Sequence, residues 1–160
     1  MSFSFLKFKS APRRRALHLV LLTAVLVLSA EELHEIFAAM DRIYLSEAVA
    51  NYIARIVAAG HPGNPAAIPD VTRFVTYGPS PRAAIALAES ARAAALLAGR
   101  PAVGFEDVRS VAPAVLNHRL ILNYQAKLDK ITPAALSERL LEKVDPAGID
   151  WPQGISSEKA

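Results

Sequence analysis

The stretch from Ser80-Pro81 to Gly99 limits what this chain can fold into more than any other. Nine of its residues are alanine (83, 84, 86, 88, 91, 93, 94, 95 and 98). Alanine has the highest helix propensity. Serine suits the N-cap, proline suits the first helical position, where its missing N–H costs nothing, and glycine suits the stop. So dense a run of small side chains lets neighbouring helices approach closely. The stretch therefore reads as the central helix of a bundle.

The flanks carry the same period. Ser29-Ala30-Glu31-Glu32 is a capping box opening a helix over 30–41, whose apolar positions Leu33, Ile36, Phe37 and Met40 recur at helical spacing. Ser46 caps a second helix that turns Val49, Ile53, Ile56 and Val57 inward and stops near Gly60. Residues 61–79 hold four prolines and two glycines and read as a long loop with one helical turn at Val71–Val75. Phe105-Glu106-Asp107-Val108 begins a helix reaching Pro113 or beyond, and Thr132-Pro133 begins a last one with Leu136, Leu140, Leu141 and Val144 apolar. Asp145-Pro146 stops it, leaving 146–160 as a tail. Arg42–Leu45 and Ala102-Val103 are short strand candidates that pair with each other. The expected class is all-α, a small helical bundle with at most a short two-stranded β pairing.

Charge narrows the function. The formal net charge is +3, but Lys7, Lys9, Arg13, Arg14 and Arg15 precede the first acid, Glu31, and without them thirteen bases face fifteen acids. Nucleic-acid binders spread Lys and Arg over the folded surface to meet phosphates; here the body is slightly acidic, which argues against nucleic acid as a partner. The chain has no cysteine, hence no disulfide, thiolate metal site or thiol nucleophile. Behind the basic cluster lies the apolar run Ala16–Ala30, a leader-like order. It is shorter than the roughly 18–20 residues that cross a bilayer. Two readings stay open for it: a leader or membrane anchor drawing on residues 7–28, or a buried or foreign segment.

No catalytic constellation stands out. Gly99-Arg-Pro-Ala-Val-Gly104 has the glycine spacing of a phosphate loop, but Phe105-Glu106 replaces the Lys-Ser or Lys-Thr that meets phosphate and magnesium. It reads as a helix stop and a turn. His34-Glu35 lacks the second histidine of a zinc helix, position 38 being alanine, and His18, His34, His61 and His118 share no ligand spacing, so no metal site is expected. Arg82 is the suggestive residue. At the second position of the long helix a cation opposes the macrodipole at about 0.3–1 kcal/mol. Free N–H groups, the dipole and a guanidinium together suit a phosphate, against the plainer alternative of a solvated arginine.

Four blocks in order carry a resemblance: Gly78-Pro-Ser-Pro-Arg-Ala83; Ala91-Arg-Ala-Ala-Ala-Leu-Leu-Ala-Gly-Arg100; Val103-Gly-Phe-Glu-Asp-Val108; and Ala112-Pro-Ala-Val-Leu-Asn-His-Arg-Leu-Ile-Leu122. Together they resemble the C-terminal lid of MoxR-type AAA+ ATPases (the ChlI/MoxR lid), over about 27–145, with 1–26 foreign to the family and 146–160 as tail. The resemblance implies a helical lid over a nucleotide held by a P-loop core, with Arg82 as the sensor 2 arginine, Ser80 as helix N-cap at the anion site, and His118 and Arg119 as candidates for the core–lid interface. ATP and Mg would then bind only through a P-loop core on another chain. The chain would not be an enzyme alone. Partners implied are that core, a hexameric ring and a VWA-domain client, in the cytoplasm. The alternative is a membrane-tethered helical interaction module, membrane-associated or exported if residues 1–29 act as a leader. The family's Thr-Arg pair before the long loop is Ala59-Gly60 here, and Met1–Leu26 resembles no part of a P-loop core.

Overall fold

The computed structural model describes residues 28–146 and Gly148. The basic cluster, the segment 1–26, all of the apolar run before Leu28 and most of the 146–160 tail lie outside them. Among the described residues no helix is long and apolar enough to cross a membrane.

The chain divides at Ala38/Ala39. Helix α1 (Ala30–Asp41) crosses that division. Its capping box forms as expected: the Glu32 N–H donates to the Ser29 hydroxyl at 3.2 Å, and the Ser29 N–H donates to the Glu32 carboxylate at 2.8 Å. None of its residues is buried.

The second unit carries the core. Helix α2 spans Glu47–Ala59, with the Ser46 hydroxyl accepting the Val49 N–H at 3.3 Å. Then come α3 (Pro69–Phe74), β1 (Val75–Tyr77), α4 (Pro81–Leu97), α5 (Phe105–Leu116), β2 (Ile121–Leu122), α6 (Tyr124–Leu128) and α7 (Pro133–Lys143). The alanine-rich α4 is the centre: Ala83, Leu87, Ala91 and Ala95 form its buried stripe, and it packs against α5 and α2. Helix α5 in turn packs against α7 and α2. Tyr52, Ile56, Leu87, Val108, Leu116, Leu136 and Leu140 are fully buried, each large aliphatic side chain contributing about 1.5–3 kcal/mol by leaving water. Val144 is buried with them.

Gly99 ends α4 at φ +69°, with the Gly99 N–H on the Leu96 carbonyl and the Arg100 N–H on the Ala95 carbonyl, both at 2.9 Å. This is a Schellman stop, which needs a left-handed residue at that point. The glycine pair 99/104 is thus a helix stop followed by a turn, as its sequence suggested.

The expected pairing of Arg42–Leu45 with Ala102-Val103 reduces to one parallel bridge between Tyr44 and Ala102. Its bonds are Tyr44 N–H to Pro101 carbonyl and Val103 N–H to Tyr44 carbonyl, each 2.9 Å. The two-stranded sheet lies elsewhere. β1 pairs antiparallel with β2, Val75 opposite Leu122 and Tyr77 opposite Ile121, with an irregularity between them. The segment expected as a helical turn at Val71–Val75 is therefore helix α3 followed by a strand, because Val75-Thr76-Tyr77 finds a partner 44 residues on, across the α4–α5 hairpin. Helix α6 was likewise not expected. The Asn123 side chain makes it, accepting the Ala126 N–H at 3.0 Å while donating to the Arg73 carbonyl at 2.7 Å.

Candidate functional site

The site is built where β1 runs into α4. Gly78 sits so close to the backbone of Gly60 and His61 that a Cβ would come within 2.7 Å of the His61 Cα. A Cβ on Gly60 would lie 3.0 Å from the Pro79 ring, and Pro79 is fully buried. Gly60 is therefore part of the packing that fixes the approach to α4. Ser80 has the extended backbone of an N-cap and its carbonyl accepts the Ala83 N–H at 2.8 Å, but its hydroxyl makes no capping bond. Pro81 begins the helix and Arg82 follows, exposed and without a hydrogen bond or ion pair to any described residue.

The β1–β2 pairing brings the second block to the same region. Tyr77 lies three positions before Ser80, and its partner Ile121 lies two positions after Arg119. The Arg119 guanidinium donates from one nitrogen to the Val115 carbonyl at 2.7 Å and to His118 Nε2 at 2.6 Å. His118 is exposed and Arg119 half-buried. The bond to the Val115 carbonyl holds Arg119 beside the end of α5. The chain segments carrying Ser80–Arg82 and His118–Arg119 thus flank one sheet pairing.

At the other end of α4, Arg100 forms a two-pronged ion pair with the buried Asp107, one prong at 2.7 Å, and Asp107 also accepts the Gly104 N–H at 2.8 Å. The Arg100 hydrogen bonds hold the Asp107 carboxyl below its ordinary range, against the opposing effect of burial, with the Gly104 N–H helping. The pair reads as structural: it closes the α4–α5 turn and caps α5. Among the described residues no three His, Asp or Glu side chains converge to hold a metal ion.

The sheet that brings Ser80–Arg82 and His118–Arg119 to one region was not expected from the sequence. The β-rich runs Val75-Thr76-Tyr77 and Leu120-Ile121-Leu122 were its available signal.

Comparison with known proteins finds relatives of this lid-like region. A family model described as an AAA lid domain matches residues 70–140, and chaperone MoxR1 of Mycobacterium tuberculosis is 38% identical over 101 residues, 63% of this chain and 27% of its own length. The chain carries a MoxR-family AAA lid. MoxR of Paracoccus denitrificans is 39% identical over 69 residues, covering 42% of this chain and 20% of its own. The uncharacterized protein YeaC of Bacillus subtilis is 33% identical over 125 residues, covering 71% of this chain and 36% of its own. A crystal structure from Cytophaga hutchinsonii, described as a candidate ATPase, superposes with a TM-score of 0.67 at 29% identity, covering 86% of this chain and 44% of that one. The chain thus spans about a quarter to under a half of the first relatives' lengths.

Proposed function

We propose that this lid, over residues 27–145, contributes Arg82 as a sensor 2 arginine to an ATP site whose P-loop core lies outside the described residues. The observation that carries the reading is the exposed Arg82, unpartnered among the described residues, at the second position of α4, on a helix start anchored by Gly78 and Pro79. A guanidinium there opposes the helix dipole, and an anion that accepts its N–H groups relieves that opposition. The free Ser80 hydroxyl adds a second donor at the same helix start.

These residues fit a contributor to a nucleotide site and not a holder of one. The lid supplies a cation and a hydroxyl; the phosphate cradle and magnesium ligands, which neutralise charge on the transferring phosphoryl group, are the core's part. His118 and Arg119, tied to the Arg82 end through β1 and β2, are assigned to the face that meets the core. Assembly into a hexameric ring, action on a VWA-domain client and a cytoplasmic setting belong to the same reading.

The experiment is an ATPase assay with the P-loop core that completes the lid. Arg82→Ala is expected to lower turnover about ten- to a hundredfold, the equivalent of losing one charge-assisted hydrogen bond worth about 1.5–3 kcal/mol. Equal turnover removes the sensor role. Magnesium-dependent turnover by the chain alone sinks the division of labour.

A further inference from the structure

A cavity of about 330 Å³ lies where α2 and the loop after it meet the end of α7. Ala59, Ala66 and Val144 give it apolar walls, and Arg55, Lys143 and Asp145 are its charged lining. The chain beyond α7 is strapped across the Arg55 guanidinium. Arg55 Nη2 donates to the carbonyl of Asp145 at 3.1 Å and to that of Pro146 at 2.9 Å. Gly148, at φ +61°, lies against the same group, where a Cβ would fall 2.7 Å from the Arg55 Cζ. The Arg55 Nε–H is buried and meets no acceptor among the described residues.

We propose that the strap carried by Asp145, Pro146 and Gly148 covers an oxyanion site, and that a phosphate group displaces it by taking the Nε and Nη2 donors of Arg55. Those two nitrogens form one edge of the planar fork, which matches two oxygens of a phosphate. The strap fills that edge with neutral carbonyls on Nη2 alone. An ionised acceptor adds Coulomb attraction and satisfies Nε as well. Lys143, exposed at the same cavity, supplies a second cation for a doubly charged ion. The acid of the lining, Asp145, sits on the strap, so release carries the opposing charge away. The hinge follows from what stays behind. Val144 is buried with its N–H on the Leu140 carbonyl, and Arg109 donates to the Leu141 carbonyl, both at 3.1 Å. Release therefore begins at Asp145 and leaves α7 in place. Ser80 and Arg82 do not line this cavity, and the inference holds whatever Arg82 binds.

Titration of the full chain, labelled with nitrogen-15, with inorganic phosphate against sodium chloride of equal ionic strength tests it. The Arg55 Nε–H and Gly148 amide resonances are expected to shift together on one saturating curve. Arg55→Met, checked for fold by circular dichroism, should abolish the Gly148 shift. Lys143→Gln should weaken binding by up to about fivefold, the effect of one exposed charge. Gly148→Ala, which crowds the strap off Arg55, should tighten it, because less of the protein is held in the covered state. Arg82→Ala should leave the Gly148 curve unchanged, which separates this site from any phosphate held there. No saturating shift with phosphate in large excess, a Gly148 shift that survives Arg55→Met or disappears in Arg82→Ala, or unchanged affinity in both Lys143→Gln and Gly148→Ala would each overturn the proposal.

Discussion

Gly78 lies against the backbone of Gly60 and His61 with no room for a side chain. The obstacle is main chain, which cannot swing aside, so a methyl group there forces α2 and the start of α4 apart. Gly78→Ala is expected to cost about 1–3 kcal/mol, the usual range for overpacking. Gly60→Ala meets the Pro79 ring at 3.0 Å and the Ile56 carbonyl oxygen at an ordinary 3.4 Å, and should cost less. Urea unfolding of both variants checks the order.

Ser80 and Thr132 look alike in sequence, each preceding a proline at the start of a helix. The Thr132 hydroxyl accepts the Ala135 N–H at 3.2 Å, whereas the Ser80 hydroxyl makes no capping bond. Thr132→Ala should therefore lose about 0.5–2 kcal/mol. Ser80→Ala should stay within about 0.5 kcal/mol of the parent. Thermal melts of the pair decide it, and equal losses would contradict the assignment.

Asp107 makes stability depend on acid. Its folded-state pKa is lowered, chiefly by the Arg100 hydrogen bonds, so its contribution is fully present above the unfolded-state value of about 4 and is lost as the pH falls through the lower folded-state value. Asp107→Asn should destabilise by about 1–3 kcal/mol at neutral pH. The gap between parent and variant should narrow as the pH falls below about 4, the unfolded-state value, and denaturant titrations at neutral pH and below that value measure it.

Tyr52 offers the opposite kind of test. Its ring is fully buried and meets Phe105 edge-on, centroids 5.5 Å apart at 87°, while its hydroxyl has no hydrogen-bond partner among the described residues. Burial pushes the phenol's pKa up; the Arg109 and Arg55 charges pull the other way. The Arg109 hydrogen bond goes instead to the Leu141 carbonyl, at 3.1 Å. Tyr52→Phe removes an unsatisfied polar atom and keeps the ring contact, so stability should hold or rise by up to about 1 kcal/mol. A clear loss in a thermal melt would show that the hydroxyl is satisfied in solution.

The helical parts of this fold were legible because they rest on local signals. Ser29 with Glu32, Ser46, Thr132-Pro133 and Gly99 mark helix ends through bonds between residues a few positions apart, and each forms as its pattern suggests. The β1–β2 pairing was not legible, because Val75–Tyr77 becomes a strand only when Ile121–Leu122 arrives beside it. Nothing local distinguishes Phe74, which ends α3, from Val75, which begins the strand. The candidate site divides the same way. Arg82 was visible from its helix position and its motif, whereas the contact of Gly78 with Gly60 depends on two segments meeting in space.

The pairing of Tyr77 with Ile121 joins the way into the α4–α5 hairpin to the way out of it. The far end is closed as well, by Arg100 on Asp107 and by the Tyr44 bridge to Ala102. A hairpin clasped at both ends and close-packed along its length resists bending. Its two ends are fixed relative to each other, so Arg82 and the α4–α5 turn belong to one stiff unit.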